Sequence, residues 1–296
     1  MAIPSIGVVI PLYQSGPWIE ECLQSVLRQT VKPNRIIVVN DGSTDDGPQR
    51  VRKIAIDSSV PIILESQSNA GQAAARNFGL SRIYEEYVAF LDADDVWAAK
   101  KLEIQVGLLQ SSGYEAVTCG YAMGVGEDPK VQAFNFRWTS DAIHAWAMAL
   151  GAGPALMSTL LVRTRFAQVL DGFREDMSIF ADLDFSIRMK ASGTVTSANA
   201  VLVKYRQHEH QIHRNSDVLV NEAKYFATQQ LNDQDSARLI RNLRYLQILR
   251  ELRTAQTITS KGSSIARSLA NAPGIASFLI RRRRCRSMQR IPKNEE

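Results

Sequence analysis

Apolar runs and amphipathic segments alternate along the first 110 residues of the chain. Four short runs rich in β-branched residues predict strands, over residues 6–10, 35–39, 60–64 and 87–91. The segments between them have helical spacing or are rich in alanine, and they predict helices over residues 19–27, 70–83 and 97–109. Strands that alternate with helices predict an α/β fold, in which a mostly parallel sheet is flanked by helices on both faces.

The start of the first helix and the second half of the chain follow weaker signals. Ser15 is the expected N-cap of the first helix, since Pro17 suits the first helical turn. Beyond residue 120 the pattern is less regular. It predicts strands over residues 158–162 and 201–205, and helices over residues 142–150, 181–191 and from about 217 onward.

The charge of the chain is concentrated at one end. The net charge is +5, but residues 261–296 hold nine Lys and Arg and two Glu, so this tail contributes +7 and the rest −2. The main part therefore offers no basic stripe, and we expect no nucleic-acid partner. Apolar residues 275–280 beside Arg281–Arg284 predict contact with an anionic membrane surface, with a solvated tail as the alternative.

Cysteine usage and hydropathy indicate the compartment. Cys22, Cys119 and Cys285 are scattered and form no C-x-x-C pair, which argues against a disulfide framework and favours a reducing cytoplasm. Residues 1–13 lack the pattern of a signal peptide, and no run of about 18 apolar residues predicts a spanning helix. We expect a cytoplasmic protein whose 296 residues bury a core without disulfides.

Polar clusters directly follow three of the predicted strands, at residues 11–13, 40–45 and 92–95. In a parallel α/β sheet, ligands bind outside the carboxyl ends of the strands, so the three clusters are expected to face one crevice.

The turn Asp92-Ala93-Asp94-Asp95 is the sharpest of these candidates. Carboxylates this close repel one another unless a cation or a basic group compensates. Hard oxygen ligands suit Mg²⁺ or Mn²⁺, which commonly use one or two carboxylates together with substrate phosphates. A solvated loop, or the first turn of the next helix, is the alternative interpretation.

Several other residues have both a functional and a structural interpretation. Asp41 would accept a hydrogen bond from a base or ribose, or would only form an Asp-Gly turn. Tyr13 would stack on a base, or would be buried at the strand end. The segment over residues 69–77 would present N–H groups and Arg76 to an anion, or would be an ordinary packing helix.

Two further groups lie in the second half. Asp182 and Asp184 fall in the first turn of a predicted helix, where they would supply a general base or only compensate the helix dipole. His208, His210 and His213 would contact a metal or a phosphate, or would be incidental residues of a surface loop.

Taken together and in this order, the motifs resemble those of the family 2 glycosyltransferases, whose fold is called GT-A. Each motif alone is weak, but the ordered set is specific. The matching segments are residues 8–13, 38–45, 69–71, 75–77, 90–95, 172–173, 182–184 and 205–208. The resemblance implies a GT-A domain over residues 1–215, with a nucleotide-binding half to residue 100 and an acceptor half after it. A helical extension over 216–260 and the basic tail over 261–296 would follow.

The resemblance also implies a role for each matching residue. The nucleotide-binding residues would be Pro11, Tyr13, Asp41, Asn69, Arg76, Asp92 and Ala93, with Asp41 contacting the base. The ligands of Mn²⁺ or Mg²⁺ would be Asp92, Asp94 and His208, with Asp94 the more direct of the two aspartates. Asp182 would be the catalytic base. The sequence departs from the family at Ala181, where the family usually has Glu.

The implied reaction is a single inverting displacement. Asp182 would take the proton from an acceptor hydroxyl as its oxygen attacks the anomeric carbon of the donor. The metal would offset negative charge on the departing nucleoside diphosphate. The resemblance implies a nucleoside-diphosphate sugar as donor, first of all a UDP-sugar, and a glycan or lipid-linked saccharide as acceptor. The protein would then work at the inner face of the cell membrane.

Two other functions compete with this one. Residues 92–96 also satisfy the D-x-D-x-[TV] pattern of haloacid-dehalogenase-like phosphatases, in which Asp92 would be a nucleophile, but that pattern should follow the first strand and not the fourth. A non-catalytic module that binds nucleotide sugars is the second alternative, and Ala181 is the residue that suggests it. A dinucleotide-binding oxidoreductase is disfavoured, since no G-x-G-x-x-G follows the first strand.

Overall fold

The structure is a computed structural model, and it describes residues 4–124, 132–134, 157–206, 208, 221–222 and 224–226. The chain divides into two compact units. The first includes Met1–Trp138 and Ala155–His208, and it is described below by itself. The predictions that lie outside the described residues are the helix over 142–150, most of the helical extension, the basic tail, His210 and His213.

The described strands form one sheet. They are β1 (Ile6–Leu12), β2 (Arg35–Asp41), β3 (Ile62–Gln67), β4 (Tyr87–Phe90), β5 (Val96–Trp97), β6 (Ala116–Gly124), β7 (Gln132–Phe134), β8 (Leu161–Arg163) and β9 (Val195–Arg206). The order across the sheet is β3-β2-β1-β4-β8-β6-β9-β5, and β7 pairs with β6 beside this path.

The described helices connect these strands. They are α1 (Gly16–Leu27), α2 (Gly47–Ile56), α3 (Gln72–Leu80), α4 (Lys101–Ser111), α5 (Thr164–Val169) and α6 (Ala181–Ser192), and a 3₁₀ turn covers Met157–Thr159. In the part of the chain that the structure describes, no helix has the length and apolar character needed to cross a bilayer.

The first half of the sheet is parallel, as the alternation of strands and helices predicts. β1 pairs in parallel with β2 and with β4, and β2 pairs in parallel with β3. All seven residues of β1 are buried. Because β1 lies between two parallel neighbours, its carboxyl end and theirs reach the same edge of the sheet, which is the edge where ligands bind in such folds.

Helices cover both faces of this half. Ile19, Leu23 and Val26 of α1 pack in the core cluster that also contains Val8 and Ile10 of β1. On the other face α3 approaches Val9 through Gly79, since a Cβ at Gly79 would lie 2.4 Å from Cγ1 of Val9. The glycine that weakens the helical pattern in the sequence is therefore the residue that lets the helix pack closely.

The second half of the sheet is mixed. β4 and β6 each pair with β8 in antiparallel fashion, and β9 pairs in parallel with β6 and antiparallel with β5. The prediction of a mostly parallel sheet thus holds for the first half. β6 was not predicted, and β9 is longer than the predicted strand over residues 201–205.

Several element boundaries differ from the predictions for local reasons. The helix predicted from Trp97 begins at Lys101, because Trp97 lies in β5 opposite Val203 and its indole N–H donates to the carbonyl of Ser158 at 2.8 Å. The strand predicted over residues 158–162 begins at Leu161, because residues before it form the 3₁₀ turn. The third strand runs from Ile62 to Gln67 and not from Val60.

Candidate functional site

The predicted polar clusters lie at the edge of the sheet where β1, β2 and β4 end. Tyr13 follows β1, Asp41 ends β2, and Asp92 comes two residues after β4. Parallel pairing of β1 with both neighbours places these three strand ends side by side. The three clusters therefore lie along one edge of the sheet, and the crevice between them stays a prediction.

Arg76 of α3 is the centre of the site. Its side chain is only 1% exposed, and it donates from Nη1 to Oδ1 of Asp182 at 2.6 Å and from Nη2 to Oδ1 of Asp92 at 2.7 Å. Asp92 follows β4 and Asp182 begins α6, so one buried guanidinium joins two predicted site residues that lie 90 positions apart. Buried charges persist when they are paired and hydrogen-bonded, as they are here.

The loop before α6 is attached to α3 by Asn77. The side chain of Asn77 donates to the carbonyl of Phe173 and accepts from its N–H, both at 2.8 Å. Gly172 has φ +57, and a Cβ there would lie 2.3 Å from Oδ1 of Asn77, so this position requires glycine. The ring of Phe173 then lies 5.3 Å from the guanidinium carbon of Arg76. These contacts explain how Asp182 reaches Arg76.

Burial dominates the acidity of Asp182. It raises the pKa of this carboxyl to about 6, against the stabilising charge of Arg76 and with a smaller contribution from Asp92 in the same direction. The side chain is still 22% exposed. Among the described residues nothing donates to its second oxygen, Oδ2, so a carboxylate with a pKa close to neutrality presents an open acceptor.

Asp92 is held from two sides. Its Oδ1 accepts from Arg76 and, at 2.9 Å, from the side-chain amide of Gln72 at the start of α3. Burial raises the pKa of the Asp92 carboxyl, Arg76 lowers it, and the neighbouring Asp94 raises it again, with a net rise. Arg76 therefore bonds two carboxyl groups, Asp92 and Asp182, and burial favours the protonated form of both.

Asp95, the third aspartate of the turn, has a structural surrounding. It is fully buried and accepts from the hydroxyl of Ser158 at 2.6 Å and from the N–H of Arg206 at 3.2 Å. Burial, then the charges of Asp94 and Asp92, raise its pKa well above the usual range. The same Ser158 hydroxyl accepts from the N–H of Asp92 at 3.1 Å, so Ser158 fixes the shape of the turn.

Asp94 points to the opposite side of the turn, toward His208. Its Oδ2 lies 2.8 Å from Nε2 of His208, and its side chain is 21% exposed. In the described residues Oδ1 of Asp94 accepts no hydrogen bond, which leaves it open to a ligand. Asp94 and His208, predicted as metal ligands from positions 114 apart, are in contact.

These residues fit a cation that takes most of its ligands from elsewhere. In the described part of the chain, no group of three or more His, Cys, Asp and Glu side chains is arranged to hold a metal ion. Mg²⁺ and Mn²⁺ do not need such a group, since one or two carboxylates with substrate phosphates and water complete their coordination. The open oxygen of Asp94 and the second oxygen of Asp92 are hard donors of the required kind.

Asp41 is buried and stabilises the turn before α3. Its Oδ1 accepts from the N–H of Ala70 at 2.8 Å and from the side-chain amide of Gln67 at 2.9 Å, and its Oδ2 accepts from the N–H of Gly71 at 2.9 Å. The helix predicted from Ala70 therefore begins at Gln72, because these N–H groups bind the carboxylate. Its predicted contact with a base stays a prediction.

The remaining predicted nucleotide-binding residues lie along the same edge. Tyr13 is 50% exposed, so the interpretation of a buried strand-end tyrosine is wrong. Pro11 and Ala93 are buried, and Asn69 is exposed beside the turn at Gly42. Within the described residues, no hydrogen bond joins the side chains of these four to Arg76, Asp92 or Asp182, so their roles stay predictions.

The starts of α1 and α2 are joined by Asp45. Its carboxylate accepts from the N–H of Gly16 at 2.7 Å and from the N–H of Gly47 at 3.1 Å. Ser15 is at the N-cap position, as predicted, but its hydroxyl donates to the carbonyl of Tyr13 and does not cap the helix. Asp45 accepts the hydrogen bond at the start of α1 instead, although it lies 29 positions after Gly16 in the sequence. The local sequence of α1 does not indicate this partner.

Replacing Asp45 with Ala is expected to lower the free energy of unfolding by about 1–2 kcal/mol, because two helix N-termini lose an acceptor. Urea denaturation followed by circular dichroism measures this loss. Asp46→Ala is the matched control, since the exposed Asp46 pairs with Arg50 on the surface and makes no side-chain cap bond to α2, so its loss should cost less. Equal losses in the two variants would contradict the capping role.

Four side chains of the site were not predicted. Gln72 holds Asp92, Ser158 holds the acidic turn, Arg206 donates from Nε to the carbonyl of Asp94 at 3.0 Å, and Trp18 stacks on His208. Gln72 directly follows the matched segment 69–71, and Arg206 lies within the matched segment 205–208, so the sequence indicated that these regions belong to the site. Ser158 and Trp18 depend on contacts between distant segments, which the sequence pattern does not record.

Comparison with known proteins finds a family model that matches part of the chain. Residues 7–143, slightly less than half of the chain, match the model of Glycosyl transferase family 2. The chain is similar to this family over that segment. The glycosyltransferase RT0329 of Rickettsia typhi is 28% identical over 215 residues, which are 70% of this chain and 65% of that protein. The chain thus spans slightly less than two thirds of that relative.

Solved structures share the fold of the chain. Residues 1–349 of S. aureus TarS in complex with UDP-GlcNAc match with a TM-score of 0.64 and 16% identity, over 96% of this chain and 92% of that one. The mannosyltransferase PcManGT from Pyrobaculum calidifontis, in complex with GDP-Man and Mn²⁺, matches with a TM-score of 0.61 and 18% identity, over 100% of this chain and 89% of that one. The predicted GT-A fold is confirmed.

The fold and the contacts of the acidic turn also bear on the phosphatase interpretation. The acidic turn follows the fourth strand of a GT-A sheet, and Asp92 is tied to Arg76 and Gln72. A phosphatase would need that carboxylate as a free nucleophile after the first strand. The position of the turn in the sheet and the contacts of Asp92 therefore argue against the phosphatase interpretation.

Proposed function

We propose that this protein is a family 2 glycosyltransferase, which moves a sugar from a nucleoside-diphosphate sugar to an acceptor hydroxyl with inversion at the anomeric carbon. The observation that carries the proposal is the arrangement around Arg76. The buried guanidinium of Arg76 hydrogen-bonds both Asp182, the proposed base, and Asp92 of the acidic turn. Asp94 of the same turn contacts His208. The proposed proton acceptor and the proposed metal-binding turn therefore lie at the same strand-end edge.

Asp182 has the properties of a general base. Its pKa of about 6 is close to the pH at which a cytoplasmic enzyme works, where a base combines the right protonation state with useful basicity. Arg76 binds one of its oxygens and so orients the carboxylate, while the other oxygen remains available for the acceptor hydroxyl. Inversion follows from one direct attack by that hydroxyl on the anomeric carbon.

The proposed donor is a nucleoside-diphosphate sugar, with UDP-sugars tested first. Support comes from the fold neighbours, one solved with UDP-GlcNAc and another with GDP-Man and Mn²⁺. The exposed ring of Tyr13 beside Asp41 offers a surface for stacking a base, which every nucleoside presents.

Asp94 and His208, with Asp92 behind them, are the proposed residues that hold Mn²⁺ or Mg²⁺. When bound, the ion would offset the negative charge of the leaving nucleoside diphosphate. The protein contributes the orientation of its ligands, since Ser158 fixes the turn through Asp92 and Asp95. Pairing with Arg76 favours the charged form of the Asp92 carboxyl and so opposes the effect of burial on its pKa.

The acceptor and the location are proposals from the sequence. We propose a glycan or lipid-linked saccharide as acceptor and a peripheral position on the cytoplasmic face of a membrane, through the basic residues 261–296. Ala181, next to the base, is 1% exposed. The family usually has Glu at this position. Because Ala181 is small and buried, we propose that other residues recognise the acceptor.

The proposal is tested by measuring release of UDP, GDP or dTDP from a panel of nucleotide sugars with Mn²⁺ or Mg²⁺. For the active donor, kcat should be constant above the pKa of Asp182, which is about 6, and should fall as pH drops through it, because the protonated carboxyl accepts no proton. Below that pKa the loss should approach about tenfold per pH unit.

Two results would speak against the proposal in different ways. A rate that does not change on acidification through the pKa of Asp182 would remove its role as base. Nucleotide-sugar binding without turnover of any donor, with acceptors supplied, would favour the non-catalytic binding module.

A further inference from the structure

One face of α1 contacts the acidic turn and the end of β9 at three points. The residues are Trp18, Glu21 and Cys22, whose spacing of i, i+3 and i+4 puts them on the same side of a helix. Trp18 stacks on His208, Glu21 pairs with Arg206, and the thiol of Cys22 lies 3.6 Å from the carbonyl of Asp92.

The contact between Trp18 and His208 is a ring stack. The ring centroids are 4.0 Å apart and the planes are inclined by 25°. Stacking fixes the plane of the imidazole, and the edge of that plane carries Nε2, which lies 2.8 Å from Oδ2 of Asp94. The indole therefore restricts the plane in which Nε2 can lie, and the contact with Asp94 orients the ring within that plane.

The backbone beside His208 is held independently. Arg206 donates from its N–H to Asp95, from Nε to the carbonyl of Asp94 and from Nη2 to Glu21. These bonds locate the end of β9 against the acidic turn, but they leave the side-chain rotation of His208 open. The stack on Trp18 is a contact that restricts this rotation.

We propose that Trp18 is a positioning residue for the metal-binding pair of Asp94 and His208. This inference rests on the proposed function, in which that pair holds Mn²⁺ or Mg²⁺ beside the donor diphosphate. In this role Trp18 acts through His208 and is not itself a ligand of the ion. It preorganises His208, so that binding of the ion does not have to fix the imidazole as well.

The test compares two substitutions that both fill space at position 18. Trp18→Phe keeps an aromatic ring for stacking, and Trp18→Leu keeps apolar volume without a ring. The affinity for Mn²⁺ in the presence of saturating UDP, measured by electron paramagnetic resonance of free Mn²⁺, should be close to wild type for Phe. It should be weaker by roughly threefold to tenfold for Leu, the range expected for loss of one aromatic pair.

Two controls separate positioning from general damage. Tyr84→Leu removes an exposed aromatic ring that stacks with Arg35 away from the acidic turn, and it should leave the Mn²⁺ affinity unchanged. In a His208→Ala background, Trp18→Leu should have no further effect on Mn²⁺ affinity, since its target is gone. A merely structural role of Trp18 would give the same loss in both backgrounds.

The outcomes distinguish this inference from the function on which it rests. If the wild-type protein binds Mn²⁺ with UDP and the Phe and Leu variants bind it equally well, the positioning role of Trp18 is overturned. The same conclusion follows if Trp18→Leu has its full effect without His208. If the wild-type protein itself takes up no Mn²⁺ with any nucleotide, the proposed metal-dependent function fails.

Discussion

Replacing Asp182 with Asn is expected to lower kcat by about 10²–10⁴-fold, the range that general-base catalysis contributes. Asn keeps the size of the side chain and an oxygen that accepts from Arg76, but it cannot take a proton from the acceptor hydroxyl. Initial rates of sugar transfer, measured with the active donor and acceptor at a pH above the pKa of Asp182, give the loss. Affinity for the nucleoside diphosphate should be nearly retained.

The control for this substitution is Asp176→Asn. Asp176 pairs with Arg174 near the surface and precedes the same helix, so the same chemical change is made outside the site. Its rate should equal that of the wild type. A rate for Asp182→Asn within a few-fold of the control would show that another group, or none, removes the proton.

Replacing Asp94 with Asn is expected to weaken Mn²⁺-dependent nucleotide binding by at least about 10–100-fold, the cost of disturbing residues that only support a metal ligand. The substituted side chain would present a neutral amide where the proposed site needs a charged oxygen. Titration of UDP in the presence and absence of Mn²⁺ measures the effect, because only the Mn²⁺-dependent part of the affinity should be lost.

Asp95→Asn is the matched comparison within the same turn. Burial raises the pKa of Asp95 well above its usual range, so a neutral side chain resembles the form that its surroundings favour. The amide introduced at position 95 would still accept from the N–H of Arg206 and would donate to the hydroxyl of Ser158. We therefore expect a much smaller loss of Mn²⁺-dependent affinity. Equal losses at positions 94 and 95 would contradict the division of roles within the turn.

The first half of the fold could be predicted because its signals are local. The β-branched runs give the strands, the helical spacing gives α1, and parallel connections then place the strand ends at one edge. That edge is where Asp41 and Asp92 lie. The ordered motifs supplied Asp182 and His208 as well, since a known family links them to the acidic turn.

The rest depends on contacts that no local pattern contains. Arg76 reaches Asp182 across 106 positions, and His208 reaches Asp94 across 114. The sequence indicates each partner as a candidate, but it does not indicate that the guanidinium lies between the two carboxylates. β6 has no clean alternation and was missed, because its pairing with β9 and β8 buries residues from both faces.

Asp41 illustrates a limit of a different kind. A role as a partner for a base and a role as a turn residue were both open from the sequence. The structure adds a third function, because three N–H donors from Gln67, Ala70 and Gly71 converge on this carboxylate. Asp41 thereby sets the start of α3 and so the position of Arg76. Both of its oxygens are occupied by these donors, so the structure supports the turn role, and the contact with a base stays a prediction.

The most direct test of the account is isothermal titration calorimetry with UDP, GDP and dTDP, each with and without Mn²⁺, on the whole chain. If the edge around Arg76 is a metal-dependent nucleotide site, at least one nucleotide binds. Mn²⁺ then increases the affinity for that nucleotide in the wild type but not in Asp94→Asn. If none of the three nucleotides binds with Mn²⁺ or with Mg²⁺, then the edge around Arg76 is not a metal-dependent nucleotide site, and the proposed function is wrong.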